Sequence, residues 1–157
     1  MPEIPSILGV SEIVLNVADL PRMRNFYVEV MGFGLNSEYC LETLAHDPNG
    51  ESTITFLTIS EPNTPLSRGG HPLLLALIDY RRHIHATKRF AGHDVKRSTL
   101  NHLAFEIPPD SFDAHSSRLQ ELGHELSFSQ FPDLQARAMF FKDPEDNLLE
   151  LICHYVE

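Results

Sequence analysis

An α+β fold built from two tandem β-α-β-β-β modules is what the 157-residue sequence predicts. Three observations carry this reading. The same order of apolar runs around one amphipathic helix occurs twice; a glycine, Gly32 and later Gly123, follows each helix; and Asp47-Pro48-Asn49-Gly50 is loosely echoed by Asp143-Pro144-Glu145-Asp146-Asn147. A repeated unit of this kind packs against its copy because neither buries its apolar face alone. The modules are expected at residues 1–80 and 99–157, with a linker over 81–98.

In the first module, Ile7 to Val17 is rich in Ile, Val and Leu and reads as a strand that runs into Asp19, a good helix N-cap. From Leu20, the apolar residues Met23, Phe26, Tyr27, Val30 and Met31 recur at helical spacing until Gly32 stops the run. Three β-like segments follow, Gly34 to Leu44, Ser52 to Ile59 and Pro72 to Tyr80. They are separated by the turn-forming stretches His46 to Gly50 and Glu61 to Pro65. The second module repeats the order: a strand over Thr99 to Ile107, a helix over Asp110 to Leu122 with Phe112, Leu119 and Leu122 inward, and strands over Glu125 to Gln130, Gln135 to Phe141 and Asn147 to His154.

Composition narrows the function. Twelve Lys and Arg against twenty-two Asp and Glu give a net charge of −10 with no basic stripe, which disfavours nucleic acid as a partner. No apolar run reaches the roughly 18 residues that span a bilayer, and the N-terminus lacks a basic-then-apolar leader, so a cytoplasmic protein is expected. Cys40 and Cys153 form no CxxC pair and read as reduced thiols. Five of the nine histidines, His71, His83, His85, His93 and His102, crowd the middle of the chain, where they could equally belong to a polar connecting segment.

Two such modules, with VLNVADLPRMRNFYVEVMGF near the front and FFKDPEDNLLEL near the end, resemble the vicinal oxygen chelate superfamily over essentially the whole chain. That family holds glyoxalase I, bleomycin-resistance proteins, methylmalonyl-CoA epimerase, fosfomycin-modifying enzymes and extradiol dioxygenases. The resemblance implies that the strands curl into a cup-shaped mixed-sheet cavity with a divalent metal at its floor, and that the first and fourth strands of each module supply the ligands. The four positions fall on Glu12, Ala76, His102 and Glu150. Leu74-Leu75-Ala76-Leu77-Ile78 aligns with Leu148-Leu149-Glu150-Leu151-Ile152, and Glu12 and His102 each lie in a first strand.

Strand alternation places Glu12, Val14 and Asn16 on one face, His102, Ala104 and Glu106 on another, and Glu150, Ile152 and His154 on a third. The intervening residues are apolar, as expected beneath a helix. A carboxylate inside the run Leu148 to Ile152 costs several kcal/mol to bury charged without a partner. A metal ion meets that cost; an Arg partner such as Arg137, or a solvated place at the cavity mouth, would also do so. Glu12 stands where the family usually has His, and Ala76 offers no ligand at the fourth position. Two carboxylates and one histidine favour harder ions such as Mn²⁺, Fe²⁺ or Mg²⁺; across the family the candidates are Fe, Mn, Zn or Ni.

The resemblance therefore implies a divalent-metal-dependent enzyme, dioxygenase-like or lyase-like, acting on a small oxygenated organic substrate. Glu12, His102 and Glu150 would hold the metal, with Glu12 and Glu150 as the catalytic carboxylates. A homodimer is an assembly the resemblance allows. Ala76 argues against glyoxalase and epimerase chemistry, where a carboxylate normally stands. Met139 and Phe140 occupy the apolar and Tyr positions of the extradiol pattern, so its Tyr is missing, as is its acid/base His; His93, His154 and Tyr80 are substitutes by residue type only. The competing reading is a metal-free acidic binding protein of the bleomycin-resistance type, lined by Glu12, Glu106 and Glu150. His83, His85 and His93 either cap the cavity or lie on the surface, and Tyr80-Arg81-Arg82-His83 is either an anion contact or a solvated basic loop.

Overall fold

In a computed structural model, which describes residues 9–59 and 72–155, the chain divides into two compact units, Met1–His93 and Asp94–Glu157. The expected turn over Glu61 to Pro65, the start of the first strand at Ile7, and His71 lie outside the described residues. Among the described residues each unit contains one four-stranded mixed sheet and one α-helix, the predicted α+β architecture.

In the first unit the sheet comprises β1 (Glu12–Val17), β2 (Gly34–Tyr39), β3 (Ile54–Thr58) and β4 (Leu74–Asp79), in the order β1-β4-β3-β2. β1 pairs in parallel with β4, and the other neighbours are antiparallel. Helix α1 (Leu20–Asn25) starts where the sequence indicates: Asp19 Oδ1 accepts from the Arg22 N–H at 3.1 Å, and Pro21 sits in the first turn. It then widens into a π-turn over Phe26–Val30 that the 3.6-residue spacing did not indicate, with the Met31 N–H donating to Phe26 O five residues back. Gly32, at φ 77°, reverses the chain so that the Phe33 N–H reaches Tyr27 O, and the Tyr27 and Phe33 rings stack at 5.8 Å. Met23 and Tyr27 are fully buried, packed with Leu15, Val17, Leu75 and Leu77 in the unit's core.

β2 ends at Tyr39 and not at Leu44. The chain turns off the sheet there, with Leu41 N–H donating to Thr53 Oγ1 and Asp47 N–H to Cys40 O. Gly50 packs against the buried Cys40: a Cβ at this position would lie 2.5 Å from Sγ and 3.0 Å from Asp47 Oδ2. Residues 81–93 fold onto the first unit. Arg82 binds Glu42 and, at 3.0 Å, Glu51; the Ile84 N–H donates to Leu41 O; and Phe90 meets the Tyr80 ring edge at 5.0 Å. Arg82 is thus engaged by two carboxylates, and His83 is buried.

The second unit contains β5 (Leu103–Glu106), β6 (Ser127–Phe131), β7 (Ala136–Lys142) and β8 (Leu148–His154), in the order β5-β8-β7-β6. Helix α2 (Phe112–Glu121) lies between β5 and β6 and ends at Gly123, φ 87°, where the His124 N–H reaches Leu119 O. Phe112 and Leu119 are buried as expected, but Leu122 is 52% exposed. Ten residues at about 100° each rotate it roughly 80° away from Phe112, and it sits where the helix ends. β5 begins four residues later than predicted, because Ser98 Oγ takes the Leu100 N–H into a turn. Both cysteines are free and buried. The two Asp-Pro stretches do not occupy equivalent connections: Asp47 to Gly50 joins β2 to β3, whereas Asp143 to Asn147 joins β7 to β8. The internal repeat rests on element order and on the two glycines.

Gly50→Ala is expected to cost about 1–3 kcal/mol, because the added methyl overlaps a buried sulfur whose own Cβ is also close; the urea midpoint checks this. Burial, and secondarily His85, pushes the His83 pKa below its ordinary 6.5, and burial followed by Arg118 does the same to His115. The folded chain therefore favours the neutral rings. Their contribution is complete above about pH 6.5 and is lost as the pH falls through the folded-state pKa values. Since His83 Nδ1 accepts the His85 N–H at 3.2 Å, His83→Asn keeps an acceptor without a titrating group. The fall in stability between pH 7 and pH 5 should be shallower in this variant.

Candidate functional site

The second unit brings two predicted site residues into contact. β5 and β8 run parallel with Ala104 opposite Glu150, and β7 places Phe140 on the other side of Glu150. His102 stands just before β5, two residues from Ala104 and therefore on the same face. Its Nε2 lies 3.0 Å from Glu150 Oε2. The ring is further held by Asn101 Oδ1, 2.6 Å from Nδ1, and by Phe140, whose ring meets it edge-on at 5.9 Å.

Glu150 is 5% exposed, in a strand otherwise made of Leu, Ile and Cys up to its last residue, His154. Arg137, the alternative partner, is turned to the opposite face. It pairs with Cys153 in register, its guanidinium lies 4.0 Å from the Phe112 ring centroid, and it reaches Asp113 at 3.5 Å. The buried carboxylate therefore relies on an imidazole that is itself about one-third exposed.

The same register recurs in the first unit with different chemistry. Val14 lies opposite Ala76 and Phe56 flanks it, as Ala104 and Phe140 flank Glu150. Glu12 stands two residues before Val14, as His102 does before Ala104, and is exposed at the start of β1. Ala76 is fully buried and contributes only a methyl group. Among the described residues, no group of three or more His, Cys, Asp and Glu side chains is gathered as a metal-holding cluster. The donors that are together, one imidazole nitrogen and one carboxylate oxygen, fit a divalent ion. Their 3.0 Å separation is that of two adjacent donors around a six-coordinate ion with bonds of about 2.1 Å.

A second imidazole and carboxylate face the same side of this sheet: His154 Nδ1 lies 3.1 Å from Glu106 Oε1. This contact was not evident from the sequence, since the two residues are 48 apart; strand alternation alone placed each on its face. Four residues of strand, roughly 13 Å, separate His154 from Glu150, which is too far for His154 to move a proton at a group held by Glu150. Tyr80 and His93, the other substitutes by type, belong to the first unit, where His93 Nε2 is buried without a hydrogen-bond partner.

A cleft of about 810 Å³ in the first unit is lined by Asp19, Arg24, Glu38, Asp79, Arg81 and Arg82, among others. Its arginines are bonded to Glu38, Asp79 and Glu42, so it presents little free charge. A smaller cleft of about 420 Å³ in the second unit includes His124, Ser127, Phe140 and Lys142. Neither cleft includes His102 or Glu150.

A family model matches residues 9–151. The chain belongs to the Glyoxalase/Bleomycin resistance protein/Dioxygenase superfamily. Solved structures agree on the fold. A mutant of the genomically encoded fosfomycin resistance protein FosX from Listeria monocytogenes, complexed with Mn(II) and 1S,2S-dihydroxypropylphosphonic acid, is 21% identical, with 97% of this chain and 94% of that one covered at a TM-score of 0.64. FosX from Mesorhizobium loti is 18% identical over 96% of each chain, at 0.59. A superfamily domain from Frankia sp. EAN1pec is 21% identical over 96% of this chain and 100% of that one, at 0.60. Among curated protein sequences none matches significantly. No helix among the described residues is long and apolar enough to cross a membrane.

The buried pair should show an asymmetry in chelator-treated protein. His102→Leu leaves Glu150 without its partner and is expected to cost about 1–3 kcal/mol. Glu150→Leu replaces the buried charge with an apolar group and should leave stability unchanged or raise it, by up to about 4 kcal/mol. Urea denaturation of both variants measures the difference.

Proposed function

We propose that this protein is a divalent-metal-dependent enzyme acting on a small oxygenated organic substrate. His102 and Glu150 hold the metal, with Glu12 as the further ligand that the family pattern suggests. The observation that carries this reading is the buried carboxylate of Glu150, set in an apolar strand, with an imidazole nitrogen at 3.0 Å and the neighbouring arginine turned to the other face. The Mn(II) complex of the Listeria monocytogenes neighbour supports it.

A divalent ion held there supplies Lewis acidity toward a substrate oxygen. The residues of this chain do the rest. Glu150 and His102 fix the position of the ion, and Phe140 limits the freedom of the His102 ring. Ala76, with no donor atom, adds no ligand at its register position. Among the superfamily's reactions, dioxygenase-like or lyase-like chemistry suits this donor set better than isomerisation, since Ala76 supplies no carboxylate to carry a proton between carbons.

Elemental analysis of protein purified without an affinity tag tests the proposal. Stoichiometric Fe, Mn, Zn or Ni should be present in the parent and lost from the His102→Ala, Glu150→Ala double variant. A parent chain that takes up no metal after reconstitution overturns the enzyme reading in favour of a metal-free acidic binding protein.

A further inference from the structure

We propose that Asn49 is a covalent modification site: its side-chain amide is lost by attack of the Gly50 nitrogen, and the isoaspartyl product unseats Gly50 from Cys40. Of the seven asparagines in the chain, Asn49 alone precedes a glycine. A residue with no side chain leaves its own backbone nitrogen unscreened and free to approach the neighbouring Cγ. The reaction needs no partner but water. As the bond from Gly50 N to Asn49 Cγ forms, the bond from Cγ to Nδ2 breaks, and the Gly50 proton leaves with Nδ2 as ammonia. Water then opens the cyclic imide. Cleavage between N and Cγ gives aspartate; cleavage between N and the main-chain carbonyl carbon gives isoaspartate, in which the backbone runs through the side chain.

Several contacts single out this amide. Asn49 is exposed in the connection between β2 and β3, and among the described residues neither its side chain nor the Gly50 N–H has a hydrogen-bond partner. The Asn49 N–H is held by Asp47 Oδ1 at 2.9 Å, which keeps the turn in place without engaging either reacting group. The other described asparagines differ. Asn16 and Asn36 lie within β1 and β2, Asn25 closes α1, the Asn101 amide contacts His102, and Asn147 Nδ2 is tied to buried Asp143 at 2.7 Å. Nor can the fold relieve the pairing at position 50, because a Cβ there would lie 2.5 Å from Cys40 Sγ and 3.3 Å from Cys40 Cβ. The packing that demands glycine thus creates the labile dipeptide, and it also makes the product disruptive. An isoaspartyl residue inserts an extra carbon into the chain immediately before this contact. It adds a carboxylate beside Asp47 and Glu51, the latter paired with Arg82 at 3.0 Å. The close fit of Gly50 on Cys40 is lost, and the buried thiol becomes reachable.

Incubation of the folded protein in warm, mildly alkaline ¹⁸O-labelled water tests this. Peptide mapping should find the heavy oxygen first at Asn49, ahead of every other asparagine. The rate should lie within about tenfold of that in the urea-unfolded chain, since an exposed turn offers little protection. Isoaspartyl methyltransferase should label the same peptide. Asn49→Gln, whose ring closure is one atom larger, should lose both signals and remain folded. Cys40 should react with a thiol reagent in step with isoaspartate formation, while Cys153, buried in the second unit, stays unreactive. Heavy oxygen arriving first at another asparagine, or at Asn49 only in the unfolded chain, overturns the modification site. Aged protein that contains isoaspartate yet keeps Cys40 as unreactive as before incubation overturns the link to Cys40, as does a Cys40 that becomes equally reactive in aged Asn49→Gln.

Discussion

Parallel pairing of the first strand with the last is the constraint on which each unit depends. A parallel pair needs a long crossover, and the helix and two further strands supply it. The result is a sheet in which the first strand, at one edge, lies beside the last, with one face packed under the helix. In the second unit this pairing sets Ala104 opposite Glu150 and brings His102 beside the same carboxylate. In the first, the identical register sets Val14 opposite Ala76. Duplicated geometry has thus carried two different sets of side chains, and among the described residues the second unit joins an imidazole to a buried carboxylate at this register.

Energetically, that pair is a weak point in the fold. A partly exposed imidazole returns little of the hydration that a buried carboxylate gives up. Apolar residues at both positions would make a more stable sheet. The arrangement is intelligible if the pair serves binding, with stability supplied by the apolar surface beneath α1 and α2. On that side Met23, Tyr27, Leu119 and Leu149 are almost completely buried. Arg137 belongs to the same division of labour: stacked on Phe112, it is part of the helix-side packing and leaves Glu150 free of a permanent cation.

Much of this was legible in the sequence, for reasons that can be stated residue by residue. Asp19, Pro21 and Gly32 mark the ends of the first helical segment because capping and left-handed turns need those side chains locally. Alternation through Glu150, Ile152 and His154 gave the correct face because a strand has a period of two. What escaped depends on contacts between distant residues or on departures from ideal geometry. The π-turn at Phe26 to Val30 leaves no trace in apolar spacing. Leu122 is apolar yet falls beyond the point at which α2 ends. Glu106 and His154 meet through the parallel register, which no local pattern announces. The resemblance of the two Asp-Pro stretches was misleading because turn chemistry is reused wherever a chain must reverse.

The corner between β7 and β8 has a consequence for the accuracy of the site. Buried Asp143 accepts from the Glu145 and Asn147 N–H groups and from Asn147 Nδ2 at 2.7–3.0 Å, while Asp146 adopts φ 67°. Glu150 stands only three residues beyond this knot, between strands that could otherwise slide on one another. A slip of one position would carry the carboxylate through the sheet and exchange it with Leu149 or Leu151, wetting a hydrocarbon layer and stranding a charge within it. The corner therefore works as an index mark on a sliding scale: by fixing where the count begins, it determines which side of the sheet is acidic.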